Sequence, residues 1–193
     1  VSTAFLTGMA MSRRVFVRPP REGLPAVGKL PTLGPCALVE LLKGAYGLTE
    51  APRLWYMRAR QLLVEAGFTE LRCARAVFVL HANNVLVGVL ALHVDDGLLF
   101  GNTKHPAFRK ARKYIDDKFN IKEWRVLSDD KDESYLGMSW RQRPGEIEIN
   151  MSTYIENELS ELPTSRGRAD DEVLTGNELF EFNSLLAKAR WPV

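Results

Sequence analysis

Apolar and polar positions along the chain recur with two different periods, one typical of helices and one typical of strands. A helix ending before Gly67 is expected to begin near Thr49 as its N-cap, with Pro52 in its first turn. Its buried face is indicated by apolar residues at helical spacing: Trp55, Ala59, Leu62, Leu63 and Ala66. A second helix is predicted over 104–119, with Phe108, Ala111, Ile115 and Phe119 on one face.

Strands are predicted where short apolar runs stand between turn residues. The runs 77–80 and 85–92 are separated by 81–84, which reads as a hairpin. Shorter strands are predicted at 15–17, 37–42, 134–141 and 146–150, with a proline-rich loop over 19–35. Near the C-terminus, Ser152 is expected to cap a helix reaching Leu162, and a last helix is expected over 178–189.

Composition is that of an ordinary globular protein. The chain has 193 residues, of which 46% are hydrophobic and 26% charged, and no apolar run is long enough to cross a membrane. The first residues lack the basic leader and apolar core of a signal peptide, and there is no initiator Met, so we expect part of a longer, intracellular protein. Two cysteines are too few for a disulfide framework, and the three histidines show no metal-ligand spacing.

Charge is distributed unevenly along the chain. Residues 1–75 carry 11 Lys and Arg against 5 acids, a net charge of +6, and the remainder carries −4, which together give the overall +2. A basic half beside an acidic site suits a polyanionic partner such as nucleic acid, although chance variation explains the same asymmetry.

Two adjacent carboxylates, Asp95 and Asp96, stand between two strand-sized apolar runs and are followed by Gly97. This pattern predicts that both lie in a tight hairpin turn. Like charges so close repel each other, and a divalent cation such as Mg²⁺ relieves the repulsion. An ordinary acidic turn is the alternative for a bare Asp-Asp pair.

A glycine-rich segment precedes the first long helix. Gly44 and Gly47 allow a sharp backbone turn or the close approach of a ligand. The polar face of the helix carries Arg53, Arg58 and Arg60, which either are solvated or contact phosphate.

Five motifs in the correct order make the sequence resemble the reverse transcriptase of copia-type LTR retrotransposons, over essentially the whole chain. They are T-A-F-L-T-G at 3–8, the run from Leu42 to Tyr56 with K-x-x-Y-G-L-x-x-A-P-R-x-W-Y, H-V-D-D at 93–96, Y-L-G-M at 135–138 and the segment 149–155. The resemblance implies an α+β fold, the polymerase palm, in which an antiparallel sheet with a ferredoxin-like core is backed by helices. Residues 1–150 would form the palm with partial fingers, and residues 151–193 the start of the thumb or connection.

The implied activity is RNA-directed DNA synthesis from dNTPs on an RNA or DNA template with a primer. Asp95 and Asp96 match the residues that bind two Mg²⁺ ions, for which Mn²⁺ is a possible substitute. Phe5 matches the bulky residue under the incoming sugar, and Tyr46 and Gly47 match the lining of the nucleotide pocket. Tyr135, Leu136, Gly137 and Met138 match the primer grip, and Lys122 is a candidate acid for protonating pyrophosphate.

Departures from the family pattern bear on activity. The third metal-binding carboxylate would stand immediately before Val1, and the basic fingers would lie upstream. His93 replaces the usual Tyr and Glu50 the usual Gln. We therefore expect the isolated chain to polymerise poorly or not at all.

The resemblance also sets the expected context of the chain. It implies a place in a Pol polyprotein with integrase and RNase H, in a cytoplasmic virus-like particle or the nucleus and without membrane contact. The alternative is a decayed or repurposed retroelement fragment that only binds nucleic acid. An unrelated Mg²⁺-dependent phosphatase would need further acidic or Lys motifs, which are not found.

Overall fold

The structure is a computed structural model that describes residues 4–26, 28, 31–119, 121–159 and 173–190. The chain forms two compact units, Val1–Glu123 and Trp124–Val193. The described part of the chain contains no helix that is both long enough and apolar enough to cross a membrane.

The described residues of the first unit combine antiparallel strands with two helices. A short 3₁₀ turn, Ala4–Thr7, precedes an antiparallel pair of strands, and a four-stranded antiparallel sheet follows, with its strands side by side in chain order. The strands are β1 (Ala10–Val17), β2 (Val39–Lys43), β3 (Thr69–Glu70), β4 (Val77–Ala82), β5 (Val85–His93) and β6 (Asp96–Gly101), and the helices are α1 (Ala51–Glu65) and α2 (Pro106–Lys118). The predicted α+β class with an antiparallel sheet is confirmed at this level.

The core of this unit lies between the sheet and the two helices. The residues predicted from helical spacing are buried, apart from Ala66, which is half-buried. The sheet contributes Phe78, Leu80, Val87 and Leu90. Burying a side chain the size of Phe78, which is fully enclosed, stabilises the fold by about 1.5–3 kcal/mol.

Two glycines let α2 approach the sheet closely. A Cβ atom on Gly101 would lie 2.1 Å from Cε2 of Phe108, and a Cβ on Gly88 would lie 2.8 Å from Cδ2 of the same ring. Because Gly88 and Gly101 are paired across β5 and β6, together they form the surface against which the Phe108 ring packs.

The turn between β4 and β5 is shorter than the four residues, 81–84, that the sequence pattern predicts. The reversal between β4 and β5 uses only Asn83 and Asn84, at φ of 50° and 62°, because asparagine tolerates the left-handed region that a two-residue turn of this kind needs.

Helix starts also differ from prediction. Thr49 does not cap α1: Glu50 occupies the N-cap position without a side-chain capping bond, while Pro52 is in the first turn as expected. Ser152 likewise lies inside its helix, after Met151.

In its described residues, the second unit contains a three-stranded antiparallel sheet and two helices. These are β7 (Glu133–Tyr135), β8 (Met138–Arg143), β9 (Glu146–Asn150), α3 (Ser152–Glu158) and α4 (Gly176–Ala189). The predicted end of α3 at Leu162 lies outside the described residues. The predicted last helix is confirmed, and a capping box between Thr175 and Glu178 starts it two residues earlier than expected.

The predicted single strand over 134–141 is wrong. Leu136 and Gly137 adopt φ of 52° and 74°, so the chain reverses there and Tyr135 pairs with Met138. Residues 133–143 therefore form a hairpin of two strands, which periodicity alone does not reveal because Leu136 is not a typical turn residue.

Candidate active site

The turn between β5 and β6 carries the two adjacent carboxylates. His93 pairs with Asp96 across the ladder, so the two turn residues are Val94 and Asp95. The prediction that both aspartates occupy the turn is therefore wrong by one residue. Asp95 is in the turn and half-buried, whereas Asp96 is the exposed first residue of β6. The chain reverses before Asp96 because Val94, rather than Gly97, adopts the left-handed backbone.

Val94 is strained. Its φ of 51° lies in a region that β-branched residues seldom adopt, at a turn position where glycine is usual. Such a conformation costs about 1–3 kcal/mol and persists only where surrounding structure imposes it.

A buried tryptophan contacts this turn. Trp55 of α1 is only 3% exposed, and its indole Nε1 donates a hydrogen bond to the carbonyl of Val94 at 2.5 Å. The edge-to-face contact of Trp55 with Phe119, with ring centroids 6.0 Å apart, fixes the indole from another side. Spacing predicted Trp55 as a core residue, but nothing in the sequence indicated its bond to the turn.

The carboxylates of Asp95, in the turn, and Asp96, at the start of β6, are of the ligand type that a hard divalent cation prefers. Two adjacent carboxylates provide oxygen ligands, and Mg²⁺ is commonly held by one or two carboxylates together with substrate phosphates. Over the described ranges, no three His, Cys, Asp or Glu side chains are grouped so as to hold a metal.

Two of the residues predicted to contact the nucleotide touch each other. Phe5, in the 3₁₀ turn, and Tyr46, in the loop before α1, have ring centroids 4.9 Å apart with planes inclined at 54°. Phe5 is half-buried, while Tyr46 is 63% exposed. Gly47 follows at φ of 89°, with nothing within 4 Å of an added Cβ, so backbone conformation and not space requires glycine there.

The first motif segment and the glycine-rich loop pack closely against α1. A Cβ on Gly44 would lie 3.0 Å from Cα and Cβ of Ala51, and a Cβ on Gly8 would lie 3.1 Å from the backbone nitrogen of Trp55. The N–H of Met9 donates to the carbonyl of Leu54 at 3.2 Å. Three sequence motifs therefore come together within the first unit: those at 3–8, 42–56 and 93–96. Thr3 of the first motif lies outside the described residues.

Glu50, where the family pattern has Gln, pairs with an arginine that the sequence pattern did not indicate. Arg13 of β1 donates from Nε to both carboxylate oxygens of Glu50, at 2.8 and 3.0 Å. An arginine in a strand 37 positions earlier gives no local signal, because only the tertiary fold brings the two side chains together.

The arginines of α1 do not form a uniform phosphate-binding face. Arg60 pairs with Glu70 at 2.6 Å, and Tyr56 also donates a hydrogen bond to this carboxylate. The pKa of Glu70 is lowered, mainly by the bond from Tyr56 and next by the bond from Arg60. The pKa of Tyr56 is raised, mainly by burial and next by its bond to Glu70. The three side chains line a cavity of about 530 Å³. Arg58 donates to Gln61 at 3.2 Å.

The remaining predicted site residues lie apart from the turn in the sequence. Tyr135, Leu136, Gly137 and Met138 form the β7–β8 hairpin of the second unit, where the Tyr135 ring meets Trp140 edge-on at 6.0 Å. Lys122 is exposed in the segment after α2. The assigned roles of these residues stay predictions.

Comparison with known proteins identifies the family. The profile of the family described as reverse transcriptase (RNA-dependent DNA polymerase) matches residues 1–166. The chain belongs to this reverse transcriptase family.

Relatives of the reverse transcriptase domain are retrotransposon polyproteins. It is 27% identical over 155 residues to the retrovirus-related Pol polyprotein from transposon RE1 of Arabidopsis thaliana, and 27% identical over 154 residues to that from transposon RE2. Each alignment covers 80% of this chain and 10% of the relative, so the chain spans about a tenth of the length of these polyproteins. No solved structure matches. The resemblance to copia-type reverse transcriptases is thereby confirmed.

Proposed function

We propose that this reverse transcriptase domain catalyses RNA-directed DNA synthesis, transferring nucleotides from dNTPs to a primer 3′-hydroxyl, as part of a longer Pol polyprotein. The observation that carries the proposal is the Asp95–Asp96 hairpin, built into the same compact unit as the Phe5–Tyr46 pair. Phosphoryl transfer depends on positioning and charge neutralisation, which carboxylate-bound cations and a shaped nucleotide pocket provide.

The palm assignment is supported by the four-stranded antiparallel sheet backed by α1 and α2. Within it, Asp95 and Asp96 are the proposed ligands for Mg²⁺. When bound, two such ions neutralise phosphate charge and lower the pKa of the attacking hydroxyl. The division into a palm at 1–150 and a thumb or connection segment at 151–193 belongs to the same proposal.

Other residues of this domain select the sugar, hold the primer and protonate the leaving group. The Phe5 ring, held against Tyr46, occupies the space that a ribonucleotide 2′-hydroxyl needs, and Gly47 leaves the backbone open beside it. The β7–β8 hairpin, Tyr135 to Met138, holds the primer end. Lys122 donates a proton to the leaving pyrophosphate.

The test is primer extension by a longer polypeptide that contains this chain. Asp95→Asn and Asp96→Asn should each lower extension at least about 100-fold, because the lost stabilisation of transition-state charge amounts to several kcal/mol. The matched control is Asp117→Asn, in a second adjacent pair, Asp116 and Asp117, on α2. Neighbouring side chains on a helix do not face each other, so Asp116 and Asp117 are not expected to share a metal ion. Asp117→Asn should therefore leave primer extension unchanged.

Normal extension by Asp95→Asn would contradict the proposal. Salt-dependent RNA binding by the unmodified protein, without a metal requirement and without extension, would also contradict it and indicate a domain that only binds nucleic acid.

A further inference from the structure

The indole of Trp55 makes its hydrogen bond to one particular carbonyl. Trp55 is almost completely enclosed, and a buried N–H without an acceptor is costly, so the indole requires a partner. The acceptor is the Val94 carbonyl, which belongs to the peptide group that joins Val94 to Asp95.

We infer that Trp55 is a positioning residue for nucleotidyl transfer, because its N–H holds the Val94–Asp95 peptide in the one orientation that presents the Asp95 carboxylate to the metal. This inference rests on the proposed function. Since the peptide group is planar, fixing the direction of the Val94 carbonyl also fixes the Asp95 N–H and the position of the Asp95 Cα.

The strain at Val94 explains why the peptide needs holding. With a β-branched residue at φ of 51°, strain is relieved by rotation about the N–Cα bond of Val94 toward negative φ, and this rotation swings the Val94 carbonyl with it. Such a rotation turns the carbonyl away from Trp55 and breaks its hydrogen bond. The bond therefore opposes the motion that would displace the Asp95 carboxylate.

Trp55 is itself well anchored. Phe119 packs on the ring edge-on, and the backbone nitrogen of Trp55 lies where a side chain at Gly8 would have to fit. The neighbouring carbonyl of Leu54 accepts the N–H of Met9. The orientation of the turn is thus tied to a helix fixed by the first motif segment.

The test is Trp55→Phe, which keeps an aromatic ring and removes the N–H. Two measurements are made on the longer polypeptide: Mn²⁺ affinity without substrates, by electron paramagnetic resonance of free Mn²⁺, and steady-state extension kinetics. Loss of one hydrogen bond predicts Mn²⁺ binding weakened about 2- to 12-fold and a similar fall in kcat, with the KM for dNTP changed less than about 2-fold.

The control is Tyr114→Phe, which removes another hydrogen bond of the same unit, the 2.5 Å bond from Tyr114 to Glu65. It should change neither Mn²⁺ affinity nor kcat. If Trp55→Phe does not fold, replacement of Trp55 by 3-benzothienylalanine, in which sulfur substitutes for the N–H, tests the same bond with the ring shape preserved.

The outcomes separate this inference from the proposed function. Unchanged Mn²⁺ affinity in a folded Trp55 variant overturns the positioning role. If the unmodified protein fails to extend primers, the proposed function fails, and the Mn²⁺ measurement alone decides whether Trp55 orders the turn. A rise in the KM for dNTP with unchanged kcat also overturns the inference, because it places Trp55 in nucleotide binding.

Discussion

The rings of Phe5 and Tyr46 pack against each other, with centroids 4.9 Å apart, although 41 positions separate them in the sequence. Tyr46 covers one side of Phe5 while remaining largely exposed itself. The orientation of the Phe5 ring therefore depends on Tyr46, which joins two predicted nucleotide-contacting residues into one surface.

The first prediction concerns sugar selectivity. Phe5→Val should raise ribonucleotide incorporation about 10- to 200-fold relative to dNTP, because it opens a space the size of the missing ring atoms. Tyr46→Ala should give a smaller increase, since the Phe5 ring is retained but loses its support. Tyr46→Phe keeps the ring contact and should match the unmodified protein. Competition between rNTP and dNTP in primer extension measures all three, and unchanged selectivity in Phe5→Val would refute the assignment.

The second prediction concerns the packing of α2 on the sheet. Gly101→Ala should destabilise the protein by about 1–3 kcal/mol, because the new methyl group would lie 2.1 Å from the buried Phe108 ring and 2.7 Å from the carbonyl oxygen of Val87. Gly97→Ala in the same strand is the control, since the nearest atom would be 3.9 Å away. Urea unfolding measures both, and equal stability of the two variants would show that the close approach is absent.

The third prediction concerns acid stability. The pKa of Glu70 is lowered by its bonds to Tyr56 and Arg60. The charged carboxylate therefore stabilises the folded state at pH values above its usual pKa of 4.5. This stabilisation is lost as the pH falls through the lower folded-state pKa. The free energy of unfolding should therefore fall as the pH drops below the usual pKa of 4.5, and less steeply in Glu70→Gln.

The control for this effect is Glu123→Gln, at an exposed residue of the same unit. It measures how much of any change in slope comes from removing one exposed carboxylate rather than from losing the bonds of Glu70. A Glu70→Gln slope that matches the unmodified protein would show that the Tyr56–Glu70–Arg60 cluster does not couple folding to protonation.

The fourth prediction concerns the strained turn. Val94→Gly should be tolerated, with a change of no more than about 1 kcal/mol, because relief of strain offsets the greater entropy of the unfolded chain. Val85→Gly makes the same substitution in β5 without a positive φ, and it should cost about 0.5–1 kcal/mol or more. Thermal unfolding compares the pair, and a larger loss in Val94→Gly than in Val85→Gly would mean that Val94 is unstrained.

Local patterns in the amino-acid sequence were enough to predict the family and the main elements. Helical spacing located the buried faces of α1 and α2, because an amphipathic helix repeats its apolar positions every three or four residues whatever it packs against. The ordered motifs indicated a reverse transcriptase, and the Asp95–Asp96 pair marked the candidate metal site.

The positions of the turns and the meeting of distant groups became known only from the folded chain. The left-handed conformations of Val94 and Leu136 were not predictable, because neither residue favours that backbone and its cost is met by surrounding contacts. The bonds from Trp55 to Val94 and from Arg13 to Glu50 join residues 39 and 37 positions apart. Such pairs leave no periodic trace in the sequence, since they depend on how whole elements pack rather than on local preference.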